Sequence, residues 1–337
     1  MTLPDLRSRS HPGTPSRGRA GLGGGLLIAL IAALTFGTSG AFIKPLLDAG
    51  WSPAAAVTVR VITGGLVLLP VALWSLRGRW STLWVGRWRI LGMATVGVAG
   101  TQLVYFAAIQ RIPVGTGILI EYMAPLLLVA VAWILTRTVP QAVVLVGSVV
   151  ALVGLVLVVS PASGADLDPV GLGFAALAMV GCAIYYVIAA RPSRGLPSVA
   201  LAACGLLLGG LMLALAGLIG IVPFSAPLGD VELFGGEAPW WVPMLVVGVI
   251  GTAIAYATSI RAGEILGSRL ASFVGLLEVV AATFYAWLLL GESLEVPQLI
   301  GGVLILAGIG FVRSEKVGER GSGAPIRSKR MRRSSAR

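Results

Sequence analysis

The chain has 337 residues, of which 57% are hydrophobic and only 12% carry a charge, and its mean hydropathy is +0.94. About a quarter of the residues are charged in an ordinary soluble protein, so this composition predicts an integral membrane protein. The net charge of +11 does not indicate a nucleic-acid partner, because the basic residues lie in the tails and beside apolar segments.

The residue inventory excludes several kinds of chemistry. Cys182 and Cys204 both lie in apolar stretches, which argues against a disulfide framework or a thiolate metal site. The only histidine, His11, lies in an N-terminal segment rich in Pro, Ser, Gly and Arg, so His-based metal clusters and triads are excluded. The sequence also has no P-loop motif. We therefore expect no cofactor, no bound metal and no enzymatic activity.

Apolar runs long enough to cross a bilayer recur along the whole chain. A hydrocarbon core of about 30 Å requires about 20 apolar residues in helical form, and a lone strand would leave backbone groups unpaired in lipid. Ten such runs cover 24–44, 54–75, 90–110, 114–135, 140–160, 169–190, 198–222, 241–260, 268–290 and 296–313. The sequence predicts an all-α membrane protein with ten transmembrane helices.

The charges of the connections predict the orientation. If the N-terminus is cytoplasmic, almost every Lys and Arg lies on the cytoplasmic side, and only Lys44, Arg60 and Arg111 lie elsewhere. The outer connections then carry acids: Asp48, Asp166, Asp168, Asp230, Glu232, Glu237, Glu292 and Glu295. The positive-inside rule therefore predicts cytoplasmic N- and C-termini in the inner membrane.

The chain also repeats itself. GVAGTQLVY (97–105) in the third span matches GVIGTAIAY (248–256) in the eighth, at an offset of 151 residues. At an offset of 154, Gly147 matches Gly301 and Gly154 matches Gly308. Five helices per copy is an odd number, so the copies must cross the membrane in opposite orientations. Inverted repeats of this kind place a substrate site near the midplane, between halves that rock to give alternating access.

These features give a domain plan. We expect a disordered basic tail over 1–23, a first five-helix repeat over 24–160, a second over 161–313, and a second disordered basic tail over 314–337.

Several motifs resemble those of the EamA-type branch of the drug/metabolite transporter superfamily. They are TFGTSGAFIKPLLDAG in the first span, VTVRVITGG in the second, the GTxxxY element twice, IEYMAP in the fourth and LLEVVAATFYAWLLLGESL in the ninth. The resemblance covers about 24–313 and implies a secondary carrier, commonly an exporter of amino acids or other small metabolites, with a central cavity lined by both halves. The ninth span has Glu278-Val279 where the family often has Glu-Pro. The sequence therefore does not decide whether both halves contain a kink at this position.

Glu121 lies about seven residues into the fourth span, too deep for a loop. An acid at such depth costs about 2.5 to 3.5 kcal/mol and usually faces a cavity or a partner. Pro125 lacks the N–H that would bond the carbonyl of residue 121, so it predicts a kink beside the acid. We expect the pair to hold an ammonium group or an exchanged proton. A neutral Glu121 bonded to a neighbouring helix is the alternative.

Two further charged residues lie inside spans. Glu278, midway along the ninth, is about three residues out of step with Glu121, so the two acids need not be symmetric. It could pair with Arg60, bond a neighbouring helix or contact substrate. Arg60, early in the second span, could bind a carboxylate bidentately or could snorkel to the outer surface.

Hydroxyl groups supply the remaining candidates. Thr101 and Tyr105 are four residues apart and share a helix face, as do Thr252 and Tyr256 in the other half. These groups could line a polar cavity or bond between helices. Gln102 adds an amide next to that face, and Thr38 of the first span could line the same cavity. We expect an aromatic-poor lining that favours no particular substrate.

The sequence thus favours a secondary transporter that exports small metabolites, with proton coupling as one option. Uptake by the same fold is one alternative, and a lipid-modifying polytopic enzyme is an alternative of another class. The expected partners are a small-molecule substrate, membrane lipids and protons, without nucleic acid, for a monomer or homodimer.

Overall fold

The computed structural model describes residues 19–112, 114–159, 168–193, 195–291, 293 and 295–314. The prediction of a disordered first tail is wrong for residues 19–23, which begin the helix Arg19–Asp48. The rest of the first tail and residues 315–337 lie outside the described residues, as do His11, Asp166, Arg194 and Glu292 with their predicted sides of the membrane.

Ten helical segments of the described chain are long and apolar enough to cross a membrane. They run over Leu22–Asp48, Pro53–Ser75, Arg87–Ile109, Thr116–Thr136, Ala142–Val159, Pro169–Ala190, Ser198–Leu218, Trp241–Leu266, Ser268–Leu290 and Val296–Arg313. We number these spans one to ten. Each overlaps the run predicted from the sequence, so the ten-helix architecture is confirmed.

The α-helices that build these spans and their connections have the following bounds. They cover Arg19–Asp48, Pro53–Ser75, Ser81–Val85, Arg87–Gly92, Thr101–Ile109, Val114–Glu121, Ala124–Thr136, Ala142–Val159, Pro169–Ala190, Ser198–Leu218, Trp241–Gly248, Ala255–Leu266, Ser268–Gly275, Leu277–Leu290 and Val296–Arg313.

Local sequence signals set several helix starts. Before span two, the Ser52 hydroxyl accepts a hydrogen bond from the Ala55 backbone N–H at 3.2 Å, and Pro53 occupies the first turn. Asp168 caps span six in the same way, since its carboxylate accepts from the Val170 N–H at 3.2 Å. Both residues satisfy backbone donors that have no partner within the first turn of a helix.

Four spans are not continuous α-helices. In spans three and eight, π-helical segments cover Met93–Gly100 and Val249–Ile254, so the two copies of the GVxGT motif share this feature. Span four is interrupted at residues 122–123, and span nine is interrupted at Leu276. π-Helical segments inside α-helices are rare, and those that occur often lie at functional sites.

The inverted repeat is visible in the packing of spans five and ten. A Cβ built on Gly147 would lie 2.9 Å from the Gly308 carbonyl oxygen, and one on Gly154 would lie 2.6 Å from the Gly301 carbonyl oxygen. Gly147 is the counterpart of Gly301, and Gly154 of Gly308, so each contact is the twofold image of the other. This reciprocity is what an axis between two equivalent helices produces, and the prediction of two inverted five-helix repeats is confirmed.

The connection between spans seven and eight contains strands that the sequence analysis did not predict. Asp230–Leu233 pairs with Gly236–Pro239 in an antiparallel hairpin, with Glu232 opposite Glu237. Val231 of this hairpin joins Leu46, Trp51 and Met244 in a small apolar cluster. The hairpin therefore covers one end of the bundle.

Candidate functional site

A cavity of about 120 Å³ lies inside the bundle, between the two repeats. Its lining residues come from spans one, two, three, four, six, eight and nine. They are Phe36, Arg60, Gly97, Thr101, Gln102, Glu121, Tyr122, Cys182, Tyr185, Tyr186, Tyr256 and Glu278. Six of the nine side chains predicted for substrate binding or coupling are therefore brought together here.

The interruptions of spans four and nine position the two acids. Glu121 is the last residue of the helix that ends before the first interruption, and Glu278 is the second residue of the helix that follows the other interruption. The two acids therefore come from opposite sides of equivalent breaks and line one cavity. The Tyr122 side chain, which lies in the break of span four, lines the same cavity and interacts with the Glu278 carboxylate.

A break occurs in both halves although proline is present in only one. Pro125 lies in the first turn of the helix that restarts at Ala124, which is the position where its missing N–H costs least. In span nine, the Leu276 N–H bonds to the Phe273 carbonyl and the Val279 N–H bonds to the Leu276 carbonyl, so the chain tightens into 3₁₀-type turns. The kink is therefore shared, and Glu-Pro is not required for it.

Arg60 turns inward from span two and lines the cavity rather than snorkelling to the membrane surface. Its Nε atom is buried and has no hydrogen-bond partner among the described residues. Arg60 interacts electrostatically with both Glu121 and Glu278. A buried donor without a partner is costly unless something binds it.

The π-helical segment of span three sets the position of Thr101 and Gln102. The Thr101 hydroxyl donates to the Val96 carbonyl at 2.6 Å, five residues earlier, which the wider turn allows. Thr101 also packs against span six, close to Gly181. Both Thr101 and Gln102 line the cavity.

The structure places three predicted residues away from the cavity lining. Thr38 donates its hydroxyl to the Thr35 carbonyl at 2.7 Å within its own helix. Tyr105 packs against the main apolar cluster, and its ring would lie 3.5 Å from a Cβ built on Gly117 of span four. Thr252 is fully buried against Gly64, and its hydroxyl has no partner within the described ranges.

The π-helical geometry explains why the predicted hydroxyl pair of the second half is split. Thr252 lies within the π-helical segment and Tyr256 lies in the α-helix after it. The wider turns of a π-helix change the angle between residues four apart, so the two side chains no longer share a face. A sequence argument that assumes 3.6 residues per turn cannot detect this change.

The expectation of an aromatic-poor lining is wrong. Phe36 and four of the six tyrosines of the chain line the cavity. The rings of Phe36 and Tyr256 meet edge to face at 5.1 Å, and those of Tyr185 and Tyr256 meet at 5.8 Å. The adjacent Tyr185 and Tyr186, in a chain with few aromatic residues, were the signal that the sequence analysis missed.

The lining residues determine which chemical groups the cavity can bind. Two carboxylates, one guanidinium and a set of aromatic faces surround a small volume between two halves of a membrane protein. Carboxylates and aromatic faces attract ammonium groups, and a guanidinium binds a carboxylate through two parallel hydrogen bonds. The site can therefore hold a small molecule with an amino group, an acidic group or both.

Comparison with known proteins agrees with this architecture. The model of the EamA-like transporter family matches residues 23–160 and again residues 169–314, so the family unit occurs twice in the chain. A solved crystal structure matches with a TM-score of 0.69 over 86% of this chain and 97% of that one, at 22% identity, which shows a shared fold.

Three named relatives are also similar in sequence to this chain. The uncharacterized inner membrane transporter YicL of Salmonella typhimurium is 26% identical over 85% of this chain and 93% of its own length. The threonine/homoserine exporter RhtA of Escherichia coli is 28% identical over 64% of this chain and 68% of its own length. Protein PecM of Dickeya dadantii is 25% identical over 77% and 83%. The family model spans both halves of the bundle, and the chain therefore belongs to the EamA-like transporter family.

Proposed function

We propose that this transporter is a secondary carrier that exports small metabolites carrying an amino group, such as amino acids or related compounds. The observation that carries the proposal is the convergence of Glu121, Glu278 and Arg60 on one cavity between the inverted repeats. The two acids offer sites for a substrate ammonium group, and Arg60 offers a site for a substrate carboxylate. Export of an amino acid by the relative RhtA supports this substrate class.

The same site suits alternating access with proton coupling. The acids sit beside breaks in spans four and nine, and such discontinuous helices are where inverted-repeat carriers place substrates and coupling ions. A carboxylate that binds a proton when the substrate leaves, and releases it when the substrate binds, couples proton transport to substrate transport. Glu121 and Glu278 are the groups that we assign to this exchange.

We also propose the location and orientation. The name of the relative YicL supports the inner membrane, and the distribution of Lys and Arg supports cytoplasmic N- and C-termini. The proposed domain division remains 24–160 and 161–313, with basic tails on either side.

The test is transport by the full-length protein in proteoliposomes. Efflux and uptake of a labelled panel of amino acids, amines and carboxylates are measured with and without an imposed pH gradient, for the parent and for Glu121→Gln. We expect the parent to move substrates with an amino group in a manner that depends on the gradient. We expect Glu121→Gln to lose the dependence on the gradient.

A matched control uses an acid outside the membrane core. Glu295→Gln removes a carboxylate that caps span ten far from the cavity and should leave transport unchanged. If Glu121→Gln moves every substrate at the parental rate and with the parental pH dependence, this carboxylate has no role in recognition or coupling.

A further inference from the structure

A buried ion pair lies outside the cavity, at the membrane face where span one begins, which we call the N-terminal face. Successive spans cross in alternate directions, so span three begins at this face and spans six and eight end there. Arg89 at the start of span three meets Glu264 at the end of span eight, with Nη2 to Oε1 at 3.3 Å. The two side chains are only 9% and 10% exposed.

Arg89 also caps the C-terminal end of span six. Its Nε donates to the Ile188 carbonyl at 3.0 Å and its Nη2 donates to the Ala189 carbonyl at 3.0 Å. Both carbonyls belong to the last turn of their helix, where the usual donors of the next turn are missing, although the Arg191 N–H also donates to the Ile188 carbonyl at 3.3 Å. The other Glu264 oxygen accepts from the exposed Arg261 at 3.2 Å. One guanidinium therefore ties together three spans.

The ion pair ends a packed column that leads from the cavity to the N-terminal face. Tyr185 lines the cavity, and its hydroxyl bonds to that of Ser259 at 2.9 Å, which joins span six to span eight. Nearer the face, a Cβ built on Gly92 would lie 3.0 Å from Ile188 Cδ1. A Cβ built on Gly263 would lie 3.0 Å from Ala189 Cβ. Spans three, six and eight thus approach closely along this line.

The column lies on the seam between the repeats. Arg89 belongs to the first repeat, whereas Ile188, Ala189 and Glu264 belong to the second. At the offset of 151 that relates spans three and eight, the counterparts of Arg89 and Glu264 are Trp240 and Pro113. These residues cannot form an ion pair, so the contact has no twofold image at the opposite face.

At the opposite face, spans three and six are joined by a different kind of contact. Arg111 and Asp168 form an ion pair at 3.1 Å, but their side chains are 51% and 34% exposed. The Arg111 guanidinium lowers the pKa of Asp168 from its usual value. An exposed pair of this kind is screened by water and holds helices together weakly.

We propose that the Arg89–Glu264 pair, with its bonds to Ile188 and Ala189, is a latch that keeps the cavity closed toward the N-terminal face and separates when that face opens. This inference rests on the proposed alternating access. Buried ion pairs lose hydration that their attraction only partly offsets, and Arg89 Nη1 is buried without a partner in the described part of the chain. Separation restores water to both groups, which suits a contact that forms and breaks in each cycle.

Cys182 provides a reporter that is already in the chain. It lines the cavity, while Cys204 lies in span seven outside the lining. In a Cys204→Ala background, a small membrane-impermeant methanethiosulfonate is applied to either face in vesicles of both orientations, without substrate. The rate at which Cys182 is modified from the N-terminal face measures how often the cavity opens there.

Glu264→Gln removes the charge of the latch and keeps a hydrogen-bond acceptor, so the fold should persist. We expect it to increase modification of Cys182 from the N-terminal face by about tenfold, because removing a contact made in only one state shifts the population toward the other. Arg111→Gln is the matched control, since it removes an exposed guanidinium from the ion pair at the opposite face, and it should label at the parental rate.

A cross-link across the seam between the repeats provides a second test. Gly92→Cys of the first repeat with Ile188→Cys of the second, in a Cys182→Ser, Cys204→Ala background, places two thiols across the seam, since a Cβ built on Gly92 lies 4.0 Å from Ile188 Cγ1. Oxidation should stop transport, and reduction should restore it. Transport that continues while the cross-link is complete would show that the N-terminal face does not open along this seam.

The labelling result separates the latch from the proposed function, because it requires no substrate. Parental labelling of Glu264→Gln from the N-terminal face would overturn the latch and leave the proposed carrier function intact. Increased labelling by a protein that transports nothing would support the latch and count against the proposed function.

Discussion

Glu121 and Glu278 illustrate how single residues acquire a role from their surroundings. An isolated acid in a membrane-spanning helix is costly, yet both acids line a cavity that also contains Arg60 and several tyrosines. Tyr122 of the first repeat interacts with Glu278 of the second. Three charged groups within the spans therefore meet at one place, where Arg60 reduces the cost of burying the two acids.

A prediction at this scale concerns Arg60. Arg60→Gln removes the guanidinium that we expect to bind a substrate carboxylate, and a lost hydrogen bond to a charged group costs about 1.5 to 3 kcal/mol. Binding of an amino acid should therefore weaken by about 10- to 100-fold. Binding of an amine without a carboxylate should weaken much less. Competition against a transported label in proteoliposomes measures both.

The outcome for Arg60→Gln separates recognition from structure. A general loss of affinity for amines and amino acids alike would mean that Arg60 only supports the shape of the cavity. Arg137→Gln, at a charged residue beyond the end of span four, is a control that should change neither affinity.

The helices fall into two groups, continuous helices and helices with a local interruption. Spans five and ten are continuous helices that approach through glycine, while spans three, four, eight and nine are interrupted where they surround the cavity. Interrupted backbone is tolerated at membrane depth only where protein or water surrounds it. The interruptions therefore mark the functional part of the bundle, and the glycine contacts mark the part that holds the repeats together.

A prediction at the scale of elements tests the glycine contact. In Gly147→Ala, the added methyl group would lie 2.8 Å from Phe311 Cβ and 2.9 Å from the Gly308 carbonyl oxygen. Such overpacking costs about 1 to 3 kcal/mol, so we expect a lower midpoint of thermal unfolding in detergent.

The matched control is Gly310→Ala in span ten. No atom lies within 4 Å of a Cβ built at this position, and alanine is the better helix former. The control should be as stable as the parent or slightly more so. Equal unfolding midpoints for both variants would show that spans five and ten do not rely on glycine to approach.

At the scale of the whole molecule, two halves of opposite orientation surround one cavity, and their differences matter as much as their symmetry. The reciprocal glycine contacts between spans five and ten follow the twofold axis. The buried pair of Arg89 and Glu264 has no counterpart in the other half. Symmetry of this kind gives two related states, and an asymmetric contact sets which of them is more populated.

A prediction at this scale concerns orientation. Ser81→Cys and Glu232→Cys place thiols at exposed positions on opposite faces of the bundle, in a Cys182→Ser, Cys204→Ala background. With cytoplasmic termini, an impermeant thiol reagent should label Glu232→Cys in intact cells and Ser81→Cys only after permeabilisation. The reverse pattern would place the termini outside, contrary to the positive-inside rule.

The number and approximate positions of the spans were accessible from the sequence because a bilayer imposes a length and a polarity on every segment, whereas some ends differ, such as that of span eight, which was predicted at 260 and lies at Leu266. The repeat was accessible because copies such as 97–105 and 248–256 keep their residues in order. Glu121, Glu278 and Arg60 stood out because charged residues within apolar runs are rare. These features depend on local composition, which any reader of the chain can evaluate.

The sequence by itself thus determined the ten spans, the inverted halves and the acids at the centre. The tertiary structure decided which side chains share a cavity, because π-helical turns and the break at Leu276 rotate neighbouring residues away from ideal helical positions. It also decided that tyrosines line the site and that Arg89 meets Glu264, two residues far apart along the chain. Such contacts depend on how helices pack in three dimensions, which no local pattern specifies.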